Sequence, residues 1–103
     1  MTPGETTYAA AGVSLATAGA VVDRLRAAVE STRTPALVGG FGGFAGVYAL
    51  DERRLLAAST DGVGTKLILQ RRAGRLRDAG TDLAAHCIND VLTTGAEPLF
   101  MLD

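Results

Sequence analysis

Ser59-Thr-Asp-Gly-Val-Gly-Thr-Lys-Leu-Ile-Leu69 leaves an apolar strand, turns on two glycines, Gly62 and Gly64, and enters a helix whose first turn carries Lys66. Lys66 is the only lysine in the chain; the other nine basic residues are arginines. The two cations differ in kind, because arginine is a planar fork and lysine a point charge suited to a single phosphate oxygen. Glycines let a backbone turn and approach a ligand closely. A helix start at Thr65 and Lys66 adds unpaired N–H groups and the positive end of a dipole. Asp61, opposite Lys66, would hold a magnesium ion bridging phosphate oxygens, since magnesium takes one or two carboxylates together with phosphate and water. The pattern therefore predicts a magnesium–nucleoside-triphosphate site. The competing reading is an ordinary strand–turn–helix with a solvated Asp61–Lys66 pair.

Upstream, Phe44 to Leu50 and Leu55 to Thr60 are short apolar runs separated by the polar Asp51-Glu-Arg-Arg54, which predicts an antiparallel hairpin. Before them lies the glycine-dense Val38-Gly-Gly-Phe-Gly-Gly-Phe44. Its Gly40-Phe-Gly-Gly-Phe-Ala45 has the letters of a dinucleotide fingerprint, but that motif needs a strand before it and a helix after it. Here a helix is expected before and a strand after. The segment reads instead as a mobile loop whose amides could close over phosphates, or as a flexible linker. The helix before it is predicted to follow Ser14, an N-cap residue type, with Ala18, Val21, Val22, Leu25, Ala28 and Val29 on one face. It should stop before Pro35. Residues 1–13 are expected to be a tail, and 14–103 a partial N-terminal domain.

Downstream, a helix is predicted from Thr65 to Ala73, stopped by Gly74, and another from about Asp82 to Thr94, capped by Thr81 or Asp82 and stopped by Gly95. The apolar face expected of the latter is Leu83, Ala84, Cys87, Ile88, Val91 and Leu92. Its other side carries Asp82, His86, Asn89 and Asp90. Asn and Asp are poor interior helix residues because they compete for the backbone. Asp90 is thus a candidate second metal carboxylate, while His86 reads more simply as a pairing partner. After Pro98, Leu99-Phe-Met-Leu102 reads as an apolar strand without a following turn, so the chain is expected to be a piece of something longer.

Composition narrows the class. A net charge of −1 and a pI near 5.7 argue against a nucleic-acid footprint. The single cysteine cannot form an internal disulfide, and no apolar run approaches the roughly 20 residues of a membrane span. The expectation is a soluble, cytoplasmic protein of one domain at most, burying roughly 60–70% of its unfolded surface.

Six segments now stand in order: Tyr8 to Val13, Gly39 to Gly43, Thr60 to Leu67, Gly80 to Leu83, Cys87 to Asp90, and Gly95-Ala-Glu-Pro-Leu-Phe-Met-Leu-Asp103. Together they resemble the N-terminal part of the phosphoribosylformylglycinamidine cyclo-ligase (aminoimidazole ribonucleotide synthetase) family. The resemblance implies an α+β ATP-binding domain, with an antiparallel or mixed sheet and packed helices, here truncated and lacking a C-terminal domain. It implies a homodimer built through the sheet. It also implies a reaction in which ATP phosphorylates the formyl amide oxygen of formylglycinamidine ribonucleotide and the amidine nitrogen closes the ring to aminoimidazole ribonucleotide. Carried over by position, Asp61 and Asp90 are the magnesium ligands, and Lys66 with Asp61 is catalytic. Gly40, Gly42, Gly43, Gly62, Gly64, Thr65 and Asn89 line the ATP, and Asp82 is either a substrate contact or a helix cap. The chain departs from the family where acidic residues usually flank the first motif, at Ala10 and Ser14, and where methionine usually stands, at His86. Two other classes remain open: a related enzyme of the selenophosphate synthetase or thiamine-monophosphate kinase type, and a non-catalytic dimerisation or nucleotide-binding module.

Overall fold

The computed structural model describes residues 7–102 and divides the chain into two compact units, meeting between Arg33 and Thr34. In the first, Ser14 caps helix α1 (Leu15–Glu30) as expected, its hydroxyl accepting the Thr17 N–H at 3.1 Å. The helix ends at a Ser31 C-cap, four residues before Pro35. No residue of α1 is fully buried.

The second unit holds β1 (Leu37–Val38), β2 (Gly46–Ala49), β3 (Leu55–Ala58), α2 (Lys66–Arg72) and α3 (Leu76–Leu92). The strands form one antiparallel sheet in the order β1-β2-β3, so the coarse class is α+β. The expected hairpin is β2–β3, with Val47 opposite Ala57 and Ala49 opposite Leu55. Its turn closes on Asp51, whose carboxylate accepts the Arg53 and Arg54 N–H groups at 2.9 and 2.8 Å and pairs with the Arg54 side chain. Those bonds, led by the Arg54 side chain, hold the Asp51 carboxyl below the usual carboxylate range.

Four expectations need correction. A strand, β1, does precede the glycine loop, but β2 follows it, so the loop is still no dinucleotide fingerprint. Helix α3 begins at Leu76, not near Asp82, which places Asp82 in mid-helix and rules it out as a cap. Gly80 lies inside that helix, where an interior glycine costs only about 1 kcal/mol. Leu99 to Leu102 pair with no strand among the described residues.

The fourth correction concerns burial. Among the described residues only Ala79 and Gln70 are buried, so the compact core expected for this length is not formed. The reason lies in α3. Its covered side runs through Ala79, Leu83, Cys87 and Val91 together with Asp82, His86 and Asp90, whereas Ile88 and Leu92 face outward. The side turned to the rest of its unit is therefore half polar.

Candidate functional site

Asp82, His86 and Asp90 recur every four residues, so they form one stripe along α3. The segment from β3 to α2 runs antiparallel to that stripe and is held to it at each turn. At the first rung the Ser59 hydroxyl lies 2.8 Å from Asp90 Oδ2 and 2.8 Å from the Phe44 carbonyl oxygen. One O–H proton serves only one acceptor at a time, and the ionised carboxylate is the stronger. At the second, His86 Nδ1 stands 3.0 Å from the Gly62 carbonyl oxygen and 3.8 Å from Asp61 Oδ2. At the third, Lys66 Nζ meets Asp82 Oδ2 at 2.6 Å.

The third rung changes the sequence reading. Lys66 is paired with Asp82, not with Asp61 as the turn alone suggested. The side chain of Gln70, one turn along α2, donates to the same Asp82 oxygen at 2.6 Å. Gln70 is 7% exposed and its Oε1 has no partner, so its amide is committed to anchoring Asp82. The Lys66 hydrogen bond, then that of Gln70 and the nearby charges of Lys66 and His86, hold the Asp82 carboxyl below its usual range, against the opposing effect of burial. Gln70 and Ser59 are site residues that sequence reasoning missed. The available signal for Gln70 was a lone amide at i+4 from Lys66 in an otherwise apolar and basic helix.

The turn itself is built on Asp61, whose Oδ1 accepts the Gly62 N–H at 2.7 Å. Gly64 takes a φ of +72°, in the left-handed region. An added Cβ at Gly62 or Gly64 would meet nothing within 4 Å, so only backbone strain separates the two. Gly64→Ala should therefore cost about 1–2 kcal/mol in stability, and Gly62→Ala within about 0.5 kcal/mol, as read by urea unfolding. Equal losses would show that the left-handed turn is absent. In the glycine loop Gly39 and Gly42 also have positive φ, at +81° and +104°, while Gly40 and Gly43 do not.

Helix α2 has only seven residues, and Thr65 makes no side-chain cap bond, so its start offers an anion less dipole than the sequence promised. What the arrangement does offer is charge. Lys66 keeps donors beyond the one given to Asp82. Asp61, on the turn, and Asp90, at the first rung, each keep acceptor capacity. Among the described residues no cluster of three or more His, Cys, Asp or Glu side chains could hold a metal ion by itself. Magnesium carried in on a polyphosphate takes one or two carboxylates and draws its remaining oxygens from phosphate and water, so it needs no such cluster. Asn89 is exposed on α3, off the stripe.

Residues 42–103 match the model of the AIR synthase related protein N-terminal domain. The chain is 50% identical to a protein of Synechococcus sp. (strain RCC307) named phosphoribosylformylglycinamidine cyclo-ligase, over 93% of this chain and 29% of that protein. A protein of the same name from Thermosynechococcus vestitus is also 50% identical over 93% of this chain and 29% of its own length. One from Carboxydothermus hydrogenoformans is 46% identical over 96% of this chain and 30% of its own length. The chain thus spans less than a third of the length of these curated relatives. No solved structure matches it. No helix among the described residues is long and apolar enough to cross a membrane.

Proposed function

Because the chain belongs to the AIR synthase related protein family through its N-terminal domain, we propose that residues 14–103 form part of the magnesium- and ATP-binding domain of a cytoplasmic cyclo-ligase of purine biosynthesis. Its substrate is formylglycinamidine ribonucleotide, and its product aminoimidazole ribonucleotide. The observation that carries the reading is the ladder of Ser59, Gly62 and Lys66 on Asp90, His86 and Asp82, which sets Asp90 and the Lys66 ammonium along the same glycine turn that Asp61 builds.

Phosphoryl transfer asks little covalent work of a protein and much positioning and charge neutralisation. Asp61 and Asp90 are the carboxylates that would hold magnesium on the phosphates. When bound, the ion spreads the charge that builds on the transferring group. Lys66 presents its free donors to a phosphate oxygen while Asp82 and Gln70 keep the ammonium from wandering. Asp82 therefore serves as the Lys66 anchor in this proposal, in place of a substrate contact. The loop from Gly39 to Gly43 closes from the β1–β2 side. Exposed Tyr48, Leu55 and Leu56 on the sheet support pairing with a second copy of the chain.

Calorimetric titration tests the reading. ATP should bind in the presence of magnesium and lose most of its affinity in excess chelator. Equal binding in both conditions would remove Asp61 and Asp90 from the site, and no binding in either would remove the nucleotide.

A further inference from the structure

The middle rung decides where the turn points. A carbonyl oxygen only accepts hydrogen bonds, so His86 Nδ1, at 3.0 Å from the Gly62 oxygen, must carry a proton in any charge state of the ring. The other side of Gly62 is pinned as well, its N–H held by Asp61 Oδ1 at 2.7 Å. No peptide bond is cis among the described residues. In a trans peptide the C=O and the following N–H point in opposite directions. Drawing the Gly62 carbonyl toward α3 therefore turns the Val63 N–H away from α3. That N–H has no acceptor among the described residues. It precedes Gly64, whose left-handed φ of +72° is the conformation from which successive amides make an anion-binding concavity.

We propose that His86 is a positioning residue, whose Nδ1–H holds the Gly62 carbonyl so that the Val63 N–H is presented as a backbone donor to the polyphosphate of the nucleotide. The inference rests on the nucleotide reading above and adds to it a donor and the side chain that aims it. Asparagine can place an amide N–H near the position of Nδ1, whereas glutamine carries its donor farther out, near that of Nε2. His86→Asn should therefore retain the hold and His86→Gln should lose it. With a side chain 41% exposed, His86 is not a core residue, and neither variant removes packing that the fold needs.

His86 is the only histidine in the chain, so labelling histidine with 15N reports one ring. In the neutral ring the nitrogen spectrum should show the proton on Nδ1. Magnesium–ATP should bind the His86→Asn chain within about threefold of the parent and the His86→Gln and His86→Ala chains about tenfold or more weakly. Thermal unfolding run alongside should place all of them near the parent. Saturation with magnesium–ATP should shift the Val63 amide resonance in the parent and move it little in His86→Gln. A neutral ring protonated on Nε2 would overturn the inference, as would equal affinities for the Asn and Gln variants. A parent chain with the Nδ1 proton in place but no affinity for magnesium–ATP would instead overturn the nucleotide reading, while still supporting the hold of His86 on Gly62.

Discussion

Asp61→Asn and Asp90→Asn are each expected to weaken magnesium-dependent ATP binding by at least about tenfold, and to push the magnesium concentration for half-saturation up by a similar factor. The figure is a lower bound, taken from the 10- to 100-fold cost of disturbing groups one step removed from a metal. Both substitutions keep the side-chain shape and an acceptor oxygen. The amide oxygen introduced by Asp90→Asn could still accept from the Ser59 hydroxyl, and the one introduced by Asp61→Asn from the Gly62 N–H, so the turn should persist. The loss is then electrostatic: each removes a negative charge from the set available to the ion. Asp82→Asn supplies the contrast. It removes the charge that Lys66 and Gln70 share, so it should disturb the placement of Lys66 without changing the magnesium midpoint. Magnesium titrations that superimpose for Asp90→Asn and the parent would exclude Asp90 as a ligand.

Local signals in the sequence carried much of this fold. Ser14 marks the start of α1 because an N-cap hydroxyl satisfies an N–H three residues on, and the pattern is local. The β2–β3 hairpin and the stop of α2 at Gly74, with a φ of +68°, are local too. The start of α3 was not legible. Its N-cap position is Arg75, which makes no side-chain cap bond, while Thr81 and Asp82 are residue types that normally cap. Both sit inside the helix, where Lys66 and Gln70 hold the Asp82 carboxylate.

The same limit explains the site. Asp61, Lys66 and Asp90 stand out from the sequence as charges beside glycines or in mid-helix, but their pairing does not. Which acid meets Lys66 depends on how α2 packs on α3, and that packing is long-range. The apolar face assigned to α3 held only in part, with Leu83, Ala84, Cys87 and Val91 partly covered, for a related reason. Periodicity finds the greasiest side, yet here the covered side is the one bearing the Asp82, His86 and Asp90 stripe, and Ile88 and Leu92 are left exposed. A helix that turns polar residues inward at three successive turns gives up apolar burial in favour of fixed hydrogen bonds.

Lys66→Ala in the complete enzyme is expected to cost about 2–4 kcal/mol of transition-state stabilisation, by analogy with removing one preorganised donor to developing charge. That corresponds to roughly 30- to 1,000-fold in kcat/KM for formation of aminoimidazole ribonucleotide. Lys66→Arg is the sharper variant, because it keeps the charge and replaces a point cation by a larger fork. Asp82 can still pair with a guanidinium, even bidentately, so the arginine should be drawn onto Asp82 and away from the phosphate. Nucleotide binding tolerates a displaced charge better than reaction geometry does, so Lys66→Arg should preserve ATP affinity while losing turnover. The competing description is a surface ion pair, for which the 59% exposure of the Lys66 side chain is the best support. An exposed pair contributes about 0–1 kcal/mol to stability and nothing to the rate. The anchor on Asp82 separates the two descriptions further: if Lys66 acts through a fixed position, Asp82→Asn should lower kcat/KM in the parent and have little additional effect on Lys66→Ala. Additive losses would show that Asp82 does not act through Lys66, and values for both lysine variants within about threefold of the parent, a difference under about 1 kcal/mol, would make Lys66 a solvated surface residue.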